Sequence, residues 1–590
     1  MSTKPHATRA RWRIGRATCY AWIAALGLLA ACRPPDPTPT PTVTPPPTAM
    51  PTAPVPDTIA GQVVGDDGPV SGAVVRVQTT AQAAITDTSG HFELATAGLG
   101  EGPFNLTAWA TGYFCAGPVQ ALAGQHDIEF HLHAHAAEDN ADYAWLPSQH
   151  HPGQGEDQGC AACHSRQGAD LPFTLPVDEW LLDAHSQSAI NPRFLTMYNG
   201  ADVNGHASPL TRYGVSRDYG RFPLRPDPNQ PYYGPGYKLD FPETDGNCAA
   251  CHTPAASVNA PYGVNPAAVS GVAAEGVPCD FCHKIWDARL DPTTGLPYPN
   301  MPGVLSFEFR RPPPGHQFFA GPFDDVAPGE DTYSPLQQQS QFCAPCHFGV
   351  FWDTVIYNSF GEWLASPYSD PTTGQTCQDC HMPSLGATHF ARPDQGGLER
   401  DPATIPSHRM PGALDEQLLQ NAVTLAAAAE RDRDTVAVEV SLTNDRTGHH
   451  VPTDSPLRHL ILLVRATDAQ GNALPLQDGP SLPDWCGAGD PADGYYAGLP
   501  GKAYAKVLEE QWTEVSPSGA YWNPTRVLSD NRLAAFETDV SRYTFAAPAA
   551  GPVEVSVTLL YRRAFSELMD QKGWDVPDMI MERETLTLAP

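Results

Sequence analysis

The chain has 590 residues, and its 35 Lys and Arg against 66 Asp and Glu give a formal net charge of −31 at pH 7. This length suits several folded domains, and a hydrophobic content of 41% is typical of soluble, folded modules. The strong negative charge argues against binding to nucleic acid and against electrostatic docking on anionic lipid headgroups.

The N-terminal residues 1–31 have the pattern of a secretory signal peptide. A basic segment precedes an apolar stretch at residues 19–31 that is too short to span a bilayer. The segment ends in Leu-Ala-Ala-Cys at residues 29–32, which resembles the lipobox of bacterial lipoproteins. By this resemblance Cys32 becomes the lipidated first residue, and an ordinary cleaved signal peptide is the alternative. Acyl chains would then anchor an exported protein to the outer face of the cytoplasmic membrane, or to the outer membrane or cell surface.

Residues 32–57 are almost entirely Pro, Thr and Ala, so they are predicted to form an extended tether. Residues 58–135 contain short alternating runs separated by turns and are predicted to form a β-sandwich. This stretch resembles the carboxypeptidase regulatory-like domain, which implies a spacer or adhesion module without a catalytic site. The residues that carry the resemblance are Gly61, Gly68, Pro69, Val70, Gly72, Ala73, Thr86, Asp87, Gly90, His91, Phe92, Gly112 and Tyr113.

Residues 136–412 contain five Cys-x-x-Cys-His motifs, numbered here one to five in chain order. Each motif is typical of covalent haem c attachment, in which the two thiols form thioethers and the adjacent His supplies one axial ligand. The attachment thiols are Cys160 and Cys163, Cys248 and Cys251, Cys279 and Cys282, Cys343 and Cys346, and Cys377 and Cys380. The proximal ligands are His164, His252, His283, His347 and His381. Zinc binding is the alternative, and it would need further ligands at matching spacing.

A domain that holds five haems is expected to consist mostly of short helices and loops, because porphyrin replaces part of the side-chain core. Motifs two and three are near each other in sequence, as are motifs four and five, which hints at two closely packed haem pairs. Residues 413–590 return to alternating strand patterns and are predicted to form a second β-sandwich, with a short helix around residues 416–430 before it. The predicted fold class is therefore multidomain, with two β-sandwich modules flanking a pentahaem domain.

The remaining cysteines of the mature chain, Cys115 and Cys486, lie in different predicted modules. A disulfide between the modules and two free buried thiols are both consistent with the sequence.

The sixth ligand of each iron decides between a carrier and an enzyme. A second His closes the iron, whereas an open position admits substrate. An internal repeat bears on this choice, because a Glu-Trp pair at residues 179–180 is followed by His185 and a Glu-Trp pair at residues 362–363 is followed, at the same spacing, by Tyr368. Tyrosine is a poor partner for low-spin iron, so one haem is either ligated from elsewhere or open.

The haem region resembles the multihaem cytochromes of the c-552/c-554 type over about residues 145–590. The resemblance rests on Glu-Gly-Val-Pro-Cys-Asp-Phe-Cys-His at residues 275–283, Tyr357 with Glu362 and Trp363, Cys-Gln-Asp-Cys-His-Met-Pro at residues 377–383, and Gly-His-His-Val-Pro-Thr at residues 448–453 with Arg458. It implies closely spaced haems, mostly with two His ligands. By this resemblance the preferred distal ligands are His185, His316 and His408, followed by His151 and His389. His449 or His450 is a further candidate, for which a polar turn is the alternative.

These observations predict an exported pentahaem cytochrome c that passes electrons between redox partners, with no catalytic residue assigned. The expected partners are redox proteins with a basic patch or quinol-linked electron donors. The alternative is an oxidoreductase that acts on a small nitrogen or sulfur compound at one haem with an open or weakly held axial site. Pentahaem nitrite reductases use a Cys-x-x-Cys-Lys motif, which this sequence lacks. The sequence leaves open the haem potentials, the terminal acceptor and the oligomeric state.

Overall fold

Alternating apolar and polar residues build the first part of the structure as two small sheets. The computed structural model describes residues 58–100, 102–151 and 159–590. Its first strands are β1 (Thr58–Gly65), β2 (Gly68–Pro69), β3 (Val74–Val77), β4 (Ala83–Ile85), β5 (His91–Ala95), β6 (Phe104–Trp109), β7 (Ala116–Ala121) and β8 (Ile128–Leu132). One sheet has the order β2-β1-β5, with β8 parallel to β1, and the other has the order β4-β3-β6-β7. Buried residues of both sheets, such as Val63, Phe92 and Leu106, form one apolar core.

The predicted signal peptide, the lipidation site Cys32 and the tether at residues 32–57 lie outside the described residues. Within the part of the chain that the structure describes, no helix is both long enough and apolar enough to cross a bilayer. The described residues belong to one compact unit.

Residues 136–412 hold short helices and two-stranded sheets joined by irregular segments. The helices are α1 (Ala161–His164), α2 (Pro176–Trp180), α3 (Pro192–Asn199), α4 (Tyr237–Asp240), α5 (Ala249–His252), α6 (Pro254–Ser257), α7 (Cys279–His283), α8 (Ser359–Leu364) and α9 (Cys377–His381). The strands are β9 (Tyr213–Ser216), β10 (Gly220–Pro223), β11 (Ile285–Ala288), β12 (Phe307–Phe309), β13 (Phe319–Gly321), β14 (Asp331–Tyr333), β15 (Gly349–Phe351) and β16 (Thr354–Tyr357), and consecutive strands pair. Proline begins α2, α3 and α6, because its fixed φ suits a first helical turn but not a helix interior.

Single turns of 3-10 helix lie between these elements and recur near the C-terminus. They are Pro266–Ala268, Gly271–Glu275, Gly303–Ser306, Pro335–Gln338, Ser340–Phe342, Pro367–Ser369, Pro393–Gln395, Pro402–Thr404, Asp484–Cys486 and Pro491–Asp493.

The C-terminal part again consists of two sheets around an apolar core. Its elements are α10 (Glu416–Gln420), β17 (Thr424–Arg431), β18 (Thr435–Thr443), β19 (His459–Thr467), β20 (Leu476–Asp478), β21 (Gly501–Glu510), β22 (Thr525–Asp530), β23 (Thr538–Ala546), β24 (Val553–Arg562), α11 (Ser566–Lys572) and β25 (Met579–Leu588). The sheet orders are β17-β18-β23-β20 and β22-β21-β19-β24-β25. The helix predicted around residues 416–430 ends at Gln420, because residues 424–431 pair with β18 as a strand.

Buried polar contacts dock the N-terminal sheets on residues 324–333 of the haem region. The carboxylate of Asp325 accepts a hydrogen bond of 2.7 Å from the backbone N–H of Thr79. The same carboxylate forms an ion pair of 2.7 Å with Arg400, in which both side chains are at most 5% exposed. Arg76 and Asp324 form a second ion pair of 2.6 Å beside it. The two parts are therefore joined by specific charges.

The first prediction concerns Asp325. Replacing Asp325 with Ala leaves the guanidinium of Arg400 buried without its partner, so the free energy of unfolding should fall by about 3–5 kcal/mol. Urea unfolding of the haem-loaded protein measures this change. The control is Asp394→Ala, which removes an exposed ion pair with Arg392 and should leave the unfolding midpoint nearly unchanged. Equal stability of wild type and Asp325→Ala would contradict the assignment.

Candidate haem-binding sites

Four of the five motifs form a short helix and one forms a turn. Motifs one, two, three and five lie in α1, α5, α7 and α9, and motif four follows the 3-10 helix Ser340–Phe342 as a turn. Residues three apart in a helical turn lie on the same side, so both thiols of a motif face one ligand. None of the ten motif cysteines forms a disulfide, and all ten residues are partly exposed.

Each proximal imidazole has an acceptor beside its Nδ1 atom. Four of the acceptors are backbone carbonyls, which lie 2.8 Å away in Phe390 for His164, 3.4 Å in Ser188 for His252, 2.7 Å in Ala320 for His283 and 2.7 Å in Pro411 for His381. The fifth is the carboxylate of Asp454, at 3.7 Å from Nδ1 of His347. When the proton is held on Nδ1, the lone pair of Nε2 is available to bind a metal, as in other metal-binding imidazoles. The five side chains therefore fit the role of axial ligand.

Three proximal imidazoles face a second imidazole. The ring centres are 6.2 Å apart for His347 and His185, 6.4 Å for His283 and His408, and 6.3 Å for His381 and His449. Two metal–nitrogen bonds of about 2 Å in line, with about 1 Å from each nitrogen to its ring centre, separate the ring centres by about 6 Å. The ring separation in the three pairs would therefore allow both imidazoles of a pair to hold one iron.

Burial keeps several of these imidazoles neutral. It lowers the pKa of His408 to about 3 and the pKa values of His252 and His381 to about 4. Burial opposes the charged form of His347 as well, but the Asp454 carboxylate raises the pKa of His347 above its usual range. Since a metal takes the neutral imidazole, the buried environment suits ligation.

Motifs one and two have a different ring neighbour. His164 lies parallel to the ring of Phe390 at 6.2 Å, and His252 stacks on Phe194 with ring centres 3.7 Å apart. The surroundings of these two proximal ligands are therefore aromatic and apolar on the side where the phenylalanines lie.

The other distal candidates have different partners. His316 is 60% exposed and its Nδ1 lies 2.8 Å from Glu330. The Nε2 atom of His151 is 2.5 Å from the buried carboxylate of Glu275. The ring of His389 stacks on Phe173 at 5.7 Å, and His450 lies 3.6 Å from Glu362. The structure thus brings His185, His408 and His449, but not His316, His151 or His389, to a proximal imidazole. The role of all six as ligands stays a prediction.

Contacts between thiols show which motifs are neighbours. The Cys279 thiol raises the pKa of Cys160 through a hydrogen bond, Cys377 does the same for Cys343, and Cys251 does the same for Cys346. Motif one therefore adjoins motif three, motif four adjoins motif five, and motif two adjoins motif four. The spacing in sequence indicates the contact between motifs four and five, but not the contact between motifs one and three.

The Glu-Trp repeat has a structural role that the sequence analysis missed. The carboxylate of Glu179 accepts hydrogen bonds from the backbone N–H of His408 at 2.7 Å and from the hydroxyl of Ser407 at 3.0 Å. The carboxylate of Glu362 accepts one from the backbone N–H of His450 at 3.2 Å, beside His449. Each buried carboxylate therefore holds the chain segment that presents a facing imidazole.

The same repeat orders the backbone before a later motif, which is motif three for Trp180 and motif five for Trp363. The indole N–H of Trp180 donates to the carbonyl of Val277 at 2.9 Å, and that of Trp363 donates to Gln375 at 2.8 Å. Both carbonyls lie two residues before the first cysteine of a motif. The backbone N–H of Cys279 donates a hydrogen bond of 3.0 Å to the hydroxyl of Ser148, and that of Cys377 donates one of 3.0 Å to the hydroxyl of Ser340. Motifs one and three thus form one half of a repeat, and motifs four and five form the other half.

The position of His185 depends on a close approach of backbone. The carbonyl of His185 accepts a hydrogen bond of 3.0 Å from the N–H of Val277. A Cβ atom at Gly276 would lie 2.3 Å from that carbonyl oxygen, and the φ of Gly276 is +77°. Only glycine suits this position. In the second half of the repeat, Tyr368 takes the place of His185. Its ring stacks on that of Phe536 with ring centres 5.5 Å apart, which is a packing contact.

Cys115 and Cys486 are free, buried thiols. Burial raises the pKa of the Cys486 thiol to about 12. The structure therefore shows the second of the two arrangements that the sequence leaves open.

Structural comparison finds a likeness to a penta-heme cytochrome c552 from Thermochromatium tepidum, with 19% identity, a TM-score of 0.48, and coverage of 73% of this chain and 97% of that chain. Smaller likenesses, each with a TM-score of 0.12, are to a type II cohesin-X-dockerin complex from Acetivibrio cellulolyticus and to the PapD-like domain 7 of human CEP192. The cohesin-X-dockerin complex has 18% identity, with coverage of 13% of this chain and 58% of that chain. The PapD-like domain has 10% identity, with coverage of 29% of this chain and 87% of that chain. No protein-family model matches the sequence, and no curated protein matches it either.

Proposed function

We propose that the chain is an exported pentahaem cytochrome c that passes electrons between redox partners. The observation that carries the proposal is the set of three facing imidazole pairs, each next to a Cys-x-x-Cys-His motif. An iron closed by two imidazoles has no position left for substrate, so such a site suits electron transfer. The motifs and the imidazole environment support this function without help from the structural likeness.

The motif cysteines would hold haem c through thioethers, which supplies an iron that takes up and releases one electron. In this proposal His185 is the distal ligand of motif four, His408 of motif three and His449 of motif five. The carbonyl acceptors at Nδ1 orient the proximal rings, and the buried carboxylates of Glu179 and Glu362 orient the segments that carry the distal rings. The thiol contacts between motifs support close spacing of the five groups.

The proposal includes export and attachment to a membrane through acyl groups on Cys32. Residues 32–57 would then separate the folded part from the bilayer, and the two-sheet modules at either end would act as β-sandwiches that flank the haem region. The net charge of −31 favours donors and acceptors with a basic patch, or quinol-linked electron donors.

Motif two favours a second candidate function, an oxidoreductase of a small nitrogen or sulfur compound. His252 has Phe194 rather than an imidazole as its ring neighbour. Two half-buried tyrosines, Tyr357 and Tyr521, have ring centres 5.4 Å apart near the thiol of Cys248, and desolvation raises the pKa of Tyr521 to about 12. Neutral phenols of this kind can donate a hydrogen bond to a ligand in an apolar site.

The second prediction tests the number of attachment sites. Protein exported from a host with haem maturation should contain five covalent haems per chain, and replacing Cys279 and Cys282 with alanine should lower the number to four, because one motif loses both thioethers. Pyridine haemochrome absorption and intact-protein mass measure the content. The matched control Cys115→Ala also removes a thiol, and it should retain five. A colourless wild-type protein with free motif thiols would end the proposal.

The third prediction tests the imidazole pairs. In His408→Ala the iron next to His283 loses its sixth ligand, so low-temperature EPR of the oxidised protein should show one low-spin signal replaced by a high-spin signal. His316→Ala should leave the spectrum unchanged, because His316 pairs with Glu330 at the surface. The reverse result would favour His316 as the ligand.

The same spectrum separates the two candidate functions. A high-spin signal in the wild type that shifts with nitrite or hydroxylamine would favour the oxidoreductase, and an unchanged spectrum would favour the electron carrier.

The fourth prediction concerns Glu179 as a positioning residue. In Glu179→Ala the segment with Ser407 and His408 loses its acceptor, so the low-spin signal of one haem should broaden or become partly high-spin. Glu179→Gln keeps an acceptor oxygen for the backbone N–H of His408 and should restore the signal. Loss of stability without any change in the EPR spectrum would show that Glu179 has only a structural role.

A further inference from the structure

We infer that Asp66, His131 and His133 form a binding site for a divalent transition-metal ion on the N-terminal sheets, separate from the haem motifs. One ligand atom from each of these side chains lies within 4.8 Å of the other two. All three side chains are exposed, so a metal ion can reach them from solvent.

The strand geometry explains why these residues come together. In β8 the burial alternates, with Phe130 and Leu132 in the core and His131 exposed. Residues two apart in a strand point to the same face, so His131 and His133 share the outer face of the sheet. Their ring centres are 4.8 Å apart.

The carboxylate comes from the neighbouring strand. β1 runs parallel to β8, with Val64 beside His131 and Gly65 beside Leu132. Asp66 follows Gly65 directly and therefore lies next to His133 at the same end of the sheet. Its Oδ1 atom is 3.6 Å from Nε2 of His131. The three ligands thus come from two adjacent strand ends whose backbone positions the register fixes.

The distances suit a small metal ion. Zinc–ligand bonds of about 2.0–2.2 Å place two tetrahedral ligands about 3.4 Å apart, which is close to the separation of Asp66 and His131. A ligand atom of His133 lies within 4.8 Å of both other ligand atoms. Two imidazoles and one carboxylate favour zinc, copper or nickel over magnesium and calcium, which prefer oxygen ligands.

The location indicates what a bound ion would do. The carbonyl of His133 accepts a hydrogen bond of 3.0 Å from the N–H of Phe114. Two residues further along the chain, the ring of His135 packs 4.9 Å from Trp286 and 5.1 Å from Phe318 of the haem region. A metal ion here would join the end of β1 to the segment that leads from the first sheets into the haem region, and would stabilise that junction.

The fifth prediction is tested with zinc chloride on the full, haem-loaded protein after chelator treatment. Isothermal titration should give one zinc ion per chain, with the affinity reduced at least tenfold in His131→Ala and in His133→Ala. The matched control is His206→Ala, since His206 is also an exposed imidazole beside a carboxylate, that of Asp202 at 2.7 Å. A hundredfold excess of magnesium should not displace the zinc.

A second readout separates binding from folding. The haem absorption and circular dichroism of each variant without zinc should match the wild type, because all the altered side chains are exposed. Zinc should raise the midpoint of thermal unfolding of the wild type and of His206→Ala, but not of His131→Ala. Wild-type affinity in both His131→Ala and His133→Ala, an equal loss in His206→Ala, or several weak sites of equal affinity would overturn the proposal.

Discussion

The proposed ligand positions depend on an acceptor beside Nδ1 of each proximal imidazole, which is a hydrogen-bonded carbonyl in four cases and the Asp454 carboxylate, at 3.7 Å, for His347. A histidine that binds metal through Nε2 must have its other nitrogen held, or the ring rotates and the tautomer is not fixed. The acceptors are remote in sequence, as the carbonyl of Phe390 lies 226 residues from His164. For His347 the acceptor is Asp454, from the segment between β18 and β19. A region with few long helices therefore positions its ligands through tertiary contacts, and the irregular segments between the motifs have a structural purpose.

The buried Glu-Trp pairs show how this positioning is repeated. Glu179 is satisfied by hydroxyl and backbone donors, among them the N–H of His408, whereas Glu362 also pairs with the guanidinium of Arg532 at 2.8 Å. A buried carboxylate is costly without such partners. The carboxylates of Glu179 and Glu362 therefore fix the positions of the segments that carry His408 and His450. The two halves differ at the residue that follows, because His185 faces a proximal imidazole while Tyr368 packs on Phe536. The same Glu-Trp pair is thus followed by an imidazole contact in one half of the repeat and by aromatic packing in the other.

Local chemistry could be predicted from the sequence, and long-range placement could not. The Cys-x-x-Cys-His spacing predicts the attachment residues without any tertiary information, and the alternation at residues 436–442 predicts β18. In contrast, the run of alanines at residues 426–429 suggests a helix by intrinsic propensity, but pairing with β18 makes it a strand. The sequence analysis ranked His316 above His449 as a ligand, and this ranking stays a prediction. The structure places His316 beside Glu330 and His449 beside His381, and no local signal in the sequence predicts either contact.

The contacts among the motifs make motif four the centre of the proposed electron path. The thiol of Cys343 interacts with Cys377 of motif five, and the thiol of Cys346 interacts with Cys251 of motif two. The Cys282 thiol of motif three also raises the pKa of both thiols electrostatically. Motif four is also the one whose proximal imidazole faces a carboxylate instead of a carbonyl. A negative charge at that position favours the oxidised, more positive iron. In this proposal Asp454, in the segment between β18 and β19, would supply a charge beside motif four, whereas the other proximal imidazoles have uncharged carbonyl acceptors.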